Sequence, residues 1–264
     1  MIRFKNFAQR RPFLFGLVLI LIYALLGMLT YPVHFLFPET DAGQLYGDAL
    51  SKFTSFLVVA LIIWRFGWLK ASGLAKIGSA KMWLIASVVL VYLIFGELYA
   101  FTGDLKIVFP THPIETASLM LSLSTGFIEE TLFRGLALVA MLIAWGDTKK
   151  GQLKAILLSA TFFGLMHLAN LMIRPPGVVI FQALIVILPG IFYAAFLLTY
   201  RSLWPVIIIH GLTNAVVNIK AITNPDYQEA FLMWIIFGAV LIPVMIYSVY
   251  LIWKLPDRYQ IDDV

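Results

Sequence analysis

The chain has no cysteine. That excludes disulfides, thiol catalysis, cysteine zinc ligands and lipidation on cysteine. It also has little charge: 12% of its 264 residues are Asp, Glu, Lys or Arg, against about 25% in soluble domains. Apolar surface takes its place, with 61% hydrophobic residues and a mean hydropathy of +0.93. Repeats, low-complexity tracts and long polar loops are missing too, so residues 1–264 read as a single integral membrane domain. The expected fold is all-α, a polytopic transmembrane helix bundle. The net charge of +5 does not point to nucleic acid, because the basic residues flank apolar runs, as membrane orientation requires. Arg3, Lys5, Arg10 and Arg11 precede the first such run. That run is long and has no small-residue cleavage site, so it reads as a retained span and not a signal peptide.

About eight spans are expected, at roughly 13–31, 49–68, 82–101, 114–145, 153–172, 178–200, 203–220 and 230–253. The basic stretch 67–81 reads as lying along the membrane surface. With the N-terminus inside, inner segments hold fourteen Lys and Arg, and outer ones hold four: Lys52, Lys106, Arg174 and Lys220. That asymmetry puts both termini in the cytoplasm. The fourth span exceeds the ~20 residues that cross a ~30 Å hydrocarbon core, so it must tilt or project.

Against this apolar background, Glu129, Glu130 and Arg134 sit in the middle of the fourth span. Each such charge costs about 2.5–3.5 kcal/mol at a bilayer centre, so an ionisable residue there is a functional-site candidate. Glu130 and Arg134, four apart, share a helix face and can pair. Glu129 points about 100° away and is free for another task. Two more motifs put polar groups into apolar helices: Phe163 to His167 in span five, and His210 to Asn214 in span seven. His167 and Glu130 come out at similar depths, about fourteen and fifteen residues from the inner ends of their spans. His210 is only about seven residues in, so span seven must begin deep or the bundle must tilt. Pro189-Gly190 could supply a bend in span six. Taken alone, the Glu130–Arg134 pair could be structural, and His167, or His210 with Asn214, could be helix–helix contacts. His34, His112, Asn170 and Asn218 read as solvated, and the Trp and Tyr residues as interfacial belts.

The three motifs, Glu-Glu-x-x-x-Arg, Phe-x-x-x-His and His-x-x-x-Asn, together resemble those of the CPBP intramembrane proteases. That family includes the type II CAAX prenyl endopeptidases and bacterial relatives called Abi proteins. The resemblance spans about 115–220. It implies a CAAX-protease-like endopeptidase with site residues Glu129, Glu130, His167, His210 and Asn214, and with Arg134 as a structural partner. The partners it implies are the lipid bilayer and a membrane-associated peptide or protein substrate, prenylated or not.

The residues support that chemistry independently. Peptide hydrolysis needs an activated water, a stabilised oxyanion and a proton for the leaving amine. Glu129 can be the general base, with His167 orienting the water or shuttling the proton. His210 and Asn214 can bind the carbonyl oxygen as it gains charge. No cofactor is required. In a second arrangement Glu129, His167 and His210 bind zinc, although the His-Glu-x-x-His pattern is absent. Buried Glu, Arg and His also build proton-coupled transporters, and a non-catalytic membrane scaffold or immunity protein is a third class. Short loops and no targeting extension suggest a bacterial cell membrane.

Overall fold

A computed structural model describes residues 2–224 and 227–259. The expected domain 1–264 thus includes residues 1, 225–226 and 260–264, which lie outside the described residues. Among the described residues the chain is entirely helical, with no strand. The helices are α1 (Ile2–Arg10), α2 (Pro12–Thr30), α3 (Asp41–Phe66), α4 (Ala80–Thr102), α5 (Pro113–Glu130), α6 (Val139–Trp145), α7 (Lys149–Met166), α8 (Pro176–Ile185), α9 (Ile187–Tyr200), α10 (Trp204–Thr223), α11 (Phe231–Val240) and α12 (Ile242–Lys254). A π-helical stretch, Thr131–Leu138, joins α5 to α6 without a break.

Each of the eight expected spans has a helical counterpart. Six are long and apolar enough to cross a membrane unbroken. A seventh, α11 with α12, is bent by 49°. Pro243 explains that bend, since it cannot donate to the carbonyl four residues back. The eighth is the run from α5 to α6. Glu115, Glu129 and Glu130 lower the hydropathy of α5, and the last two of these charges belong to the candidate site.

Two expectations are corrected. The second span starts at Asp41, well before residue 49. Thr40 caps it, its hydroxyl accepting from the Gly43 N–H, and Gly67 ends it at φ 75°. Lys52, expected near the outer end of that span, is therefore the twelfth residue of the helix. The stretch 67–79 forms tight turns that tuck inward instead of a surface helix. Trp68 and Ser72 are fully buried, Leu203 donates its N–H to the Gly73 carbonyl at 3.1 Å, and the Trp204 indole N–H reaches the Leu74 carbonyl at 3.0 Å. This turn cluster receives the start of α10, whose first residues are buried inside the protein.

The core forms around α5, which packs along α3 and α10. Glycine allows the close approach. A Cβ on Gly126 would lie 2.7 Å from the Ile207 carbonyl oxygen, and one on Gly211 would lie 2.9 Å from the Leu123 Cα. Backbone thus meets backbone one turn from Glu129 and Glu130, beside His210.

Candidate active site

Glu130 and Arg134 sit at the centre of the bundle with no solvent exposure. Arg134 Nη1 donates to Glu130 Oε1 at 2.9 Å. The guanidinium lies between two rings, 4.4 Å from the Phe163 centroid and 5.4 Å from that of Tyr193. Among the described residues its Nε and Nη2 have no hydrogen-bond partner, and the two ring faces supply the neighbouring negative potential. Gly190 makes room for it, since a Cβ there would lie 2.9 Å from Nη2. The π-helical stretch carries Arg134, in keeping with the tendency of such widened turns to mark functional sites.

His210 connects this buried pair to the cavity. Its Nδ1 lies 2.7 Å from Glu130 Oε1. A carboxylate can only accept, so Nδ1 carries the hydrogen, and in the neutral ring Nε2 holds a lone pair. That Nε2 is 3.8 Å from Glu129 Oε2, which has no hydrogen-bond partner of its own. His167 is fixed in the same way. Its Nδ1 lies 2.9 Å from the Phe163 carbonyl, which leaves Nε2 as its acceptor.

Glu129, His167, His210 and Asn214 line one cavity of about 370 Å³. Glu130 and Arg134 do not reach it. Asn214 is half-buried there, and its amide makes no hydrogen bond among the described residues. The cavity runs on toward Arg174 and Glu229, which pair at 2.9 Å. With both imidazoles neutral, Glu129 Oε2 and the two Nε2 atoms are all acceptors. A water among them must donate its hydrogens to them, which turns its lone pairs outward. Glu129, His167 and His210 do not fit a metal. Among the described residues no three His, Asp or Glu side chains converge as ligands.

The structure adds residues that the sequence motifs did not mark. Tyr23 donates its hydroxyl to Glu129 Oε1 at 3.0 Å, and Lys52 Nζ donates to the Tyr23 oxygen at 3.3 Å. Tyr23 is therefore not an interfacial-belt residue. Glu97 on α4 is 8% exposed and also lines the cavity. A charge inside an apolar run marks both Glu97 and Lys52, the same signal that marks Glu129. Two residues read as solvated are not. Asn170 donates to Gln182 at 3.0 Å on the cavity wall, and buried His34 meets Asp48 at 2.8 Å and the Tyr31 carbonyl at 2.9 Å. His112 is exposed, and Asn218, also exposed, donates to Ser122 at 3.0 Å.

Residues 111–216 match the family model described as "Type II CAAX prenyl endopeptidase Rce1-like". The segment contains all three motifs, and over it the resemblance read from those motifs is shown. The match implies a hydrolase of the CAAX-protease type, a protein substrate and an integral membrane setting. No curated protein and no solved structure matches the chain.

Proposed function

We propose that this protein is an intramembrane endopeptidase that cleaves a membrane-associated peptide or protein with a water activated by Glu129. The observation that carries the proposal is the shared cavity, in which Glu129, His167, His210 and Asn214 meet while Glu130 and Arg134 stay sealed behind them. The water stands between Glu129 Oε2 and the imidazole Nε2 atoms. Its oxygen attacks the scissile carbonyl carbon as Glu129 takes one proton. The Asn214 amide donates to the oxygen as it becomes an oxyanion. His210 helps as a donor only once its Nε2 is protonated, since Nδ1 is committed to Glu130. His167 relays the proton to the leaving nitrogen, the C–N bond breaks, and a carboxylic acid and an amine depart. Glu130 and Arg134 set the orientation of His210 and do not touch the substrate.

The substrate chain must be unwound at the scissile bond, because a helical peptide bond is shielded by its own hydrogen bonding. Membrane-anchored peptides are the natural class, farnesylated CAAX-type peptides among them. We place both termini in the cytoplasm, on the asymmetry of fourteen inner against four outer Lys and Arg. The test uses purified protein in nanodiscs with internally quenched peptides, farnesylated, acylated or unmodified. Cleavage by the wild type and none by Glu129→Gln is the expected result. Equal cleavage by both overturns the assignment of the base. Proton or solute flux in proteoliposomes with no peptide cut would favour a transporter instead.

A further inference from the structure

We propose that Tyr23, backed by Lys52, is a positioning residue for the Glu129 carboxylate, so that the first two spans belong to the active site. The proposal rests on the peptidase reading above and extends it to α2 and α3, which lie outside the matched segment 111–216.

The two oxygens of Glu129 stand in different surroundings. Oε1 accepts from the Tyr23 hydroxyl at 3.0 Å, while Oε2 has no partner and faces His210 Nε2 at 3.8 Å. The last torsion of a glutamate is broad, so nothing within the side chain chooses the plane in which the carboxylate faces the water. Tyr23 makes that choice. Lys52 makes the choice of Tyr23 unambiguous in turn. An ammonium can only donate, so at 3.3 Å it occupies a lone pair of the phenol oxygen, and the phenol hydrogen is left to point at Glu129. Hydrogen bonds in such a chain strengthen one another. His167, His210, Glu97 and Tyr193 line the same cavity, and among the described residues none of these four has a hydrogen bond to Oε1.

The location of Lys52 supports this assignment. It is the twelfth residue of α3, where the polar first half of the helix gives way to its apolar part, and its side chain lines the cavity. Packing alone would be served more cheaply by leucine at 52 and phenylalanine at 23. A lysine and a tyrosine joined in series to the candidate base are what orientation requires.

The test combines kinetics with thermal stability on the full chain. In nanodiscs with a farnesylated, internally quenched CAAX-type peptide, Tyr23→Phe should lower kcat about ten- to a hundredfold, the size of one hydrogen bond to a charged group, with KM within about twofold. Lys52→Met should lose less and add nothing to Tyr23→Phe, and Lys52→Arg should restore most of the rate. Independently of activity, melting temperatures of Tyr23→Phe, Glu129→Leu and the double variant should show coupling, the double losing less than the sum. A kcat for Tyr23→Phe within twofold of wild type, additive kinetic losses at 23 and 52, or no thermal coupling overturns the proposal. Thermal coupling with no cleavage even by wild type supports the positioning contact and sinks the peptidase reading instead.

Discussion

Glu129 and Glu130 are neighbours in sequence and opposites in setting. Glu130 has no exposure and shares one oxygen between Arg134 and His210. Glu129 faces the cavity, with one oxygen held by Tyr23 and the other unpartnered. A single helical step of about 100° separates a sealed charge from a reactive one. Two buried carboxylates at adjacent positions are tolerable because each is neutralised or bonded from a different side, by Arg134 in the core and by the Tyr23–Lys52 chain at the cavity wall. Position on the helix, and not residue type, assigns the work.

The variant that breaks this comparison most sharply is Glu129→Gln. Turnover should fall about 10²–10⁴-fold, the range of general-base contributions, with the detergent melting curve unchanged. A matching loss of stability would put Glu129 in the same structural class as Glu130. Arg134→Leu should do the reverse and cost about 3–5 kcal/mol of stability, less if Glu130 takes up a proton. A melt indistinguishable from wild type would show that the pair does not hold the core. Asn214→Ala sharpens the contrast within the cavity. It should lower kcat about 10²–10³-fold and leave KM nearly unchanged, since the oxyanion exists only in the transition state. A rise in KM alone would make Asn214 a binding residue. Gly190→Ala probes the space behind Arg134. The added methyl would press on Nη2 and should cost about 1–3 kcal/mol, with any loss of rate following the loss of folded protein.

The smallest effect belongs to an ion pair outside the bundle. Asp104, in the connection after α4, accepts from Lys220 Nζ, and from the Lys106 N–H at 2.9 Å. The Lys220 hydrogen bond first, and the Lys106 N–H second, hold its carboxyl below the ordinary aspartate value. A depressed carboxylate contributes stability above its unfolded pKa and loses it as pH falls through the folded value. The contribution should therefore be complete at pH 7 and be lost progressively as the pH falls below the ordinary aspartate value of about 4. Melting temperatures of wild type and Asp104→Asn should differ slightly at pH 7 and converge in acid. A constant difference at both pH values would assign the effect to something other than this charge.

The fold was legible because lipid leaves few choices, and eight apolar stretches give eight helical runs. The boundaries failed where side-chain chemistry outranks hydropathy. Thr40 capped α3 ahead of its apolar part, and Pro243 bent a span read as straight. The turn cluster at 67–79 looked like a surface segment because its lysines and glycines hide an inward Trp68. At the site, spacing alone paired Glu130 with Arg134. It could not pair Tyr23 with Glu129, because 106 residues separate them and a lone tyrosine in a span looks like any belt residue. Lys52 carried a signal, a charge within an expected span, but its place near the outer end of that span made it count toward orientation and not toward the site.

The π-helical stretch at Thr131–Leu138 has a consequence for how this chain can change over time. A wide turn accommodates one residue more than an α-helix of the same rise. Deleting a single residue there would let the run close as ordinary α-helix, and the residues on either side would keep their faces, because the widened turn already absorbs the extra residue. A one-residue change of length within α5 has no such slack, and each residue beyond it would rotate by about 100°. Leu138, Val139, Met141 and Leu142, all buried, would then swing out of the core together. Even inside the stretch, a deletion between Glu130 and Arg134 would bring the arginine from four residues away to three and disturb their pairing. The stretch from 131 to 138 is thus where this helix tolerates a change of length, and the Glu130–Arg134 spacing is the part of it that does not.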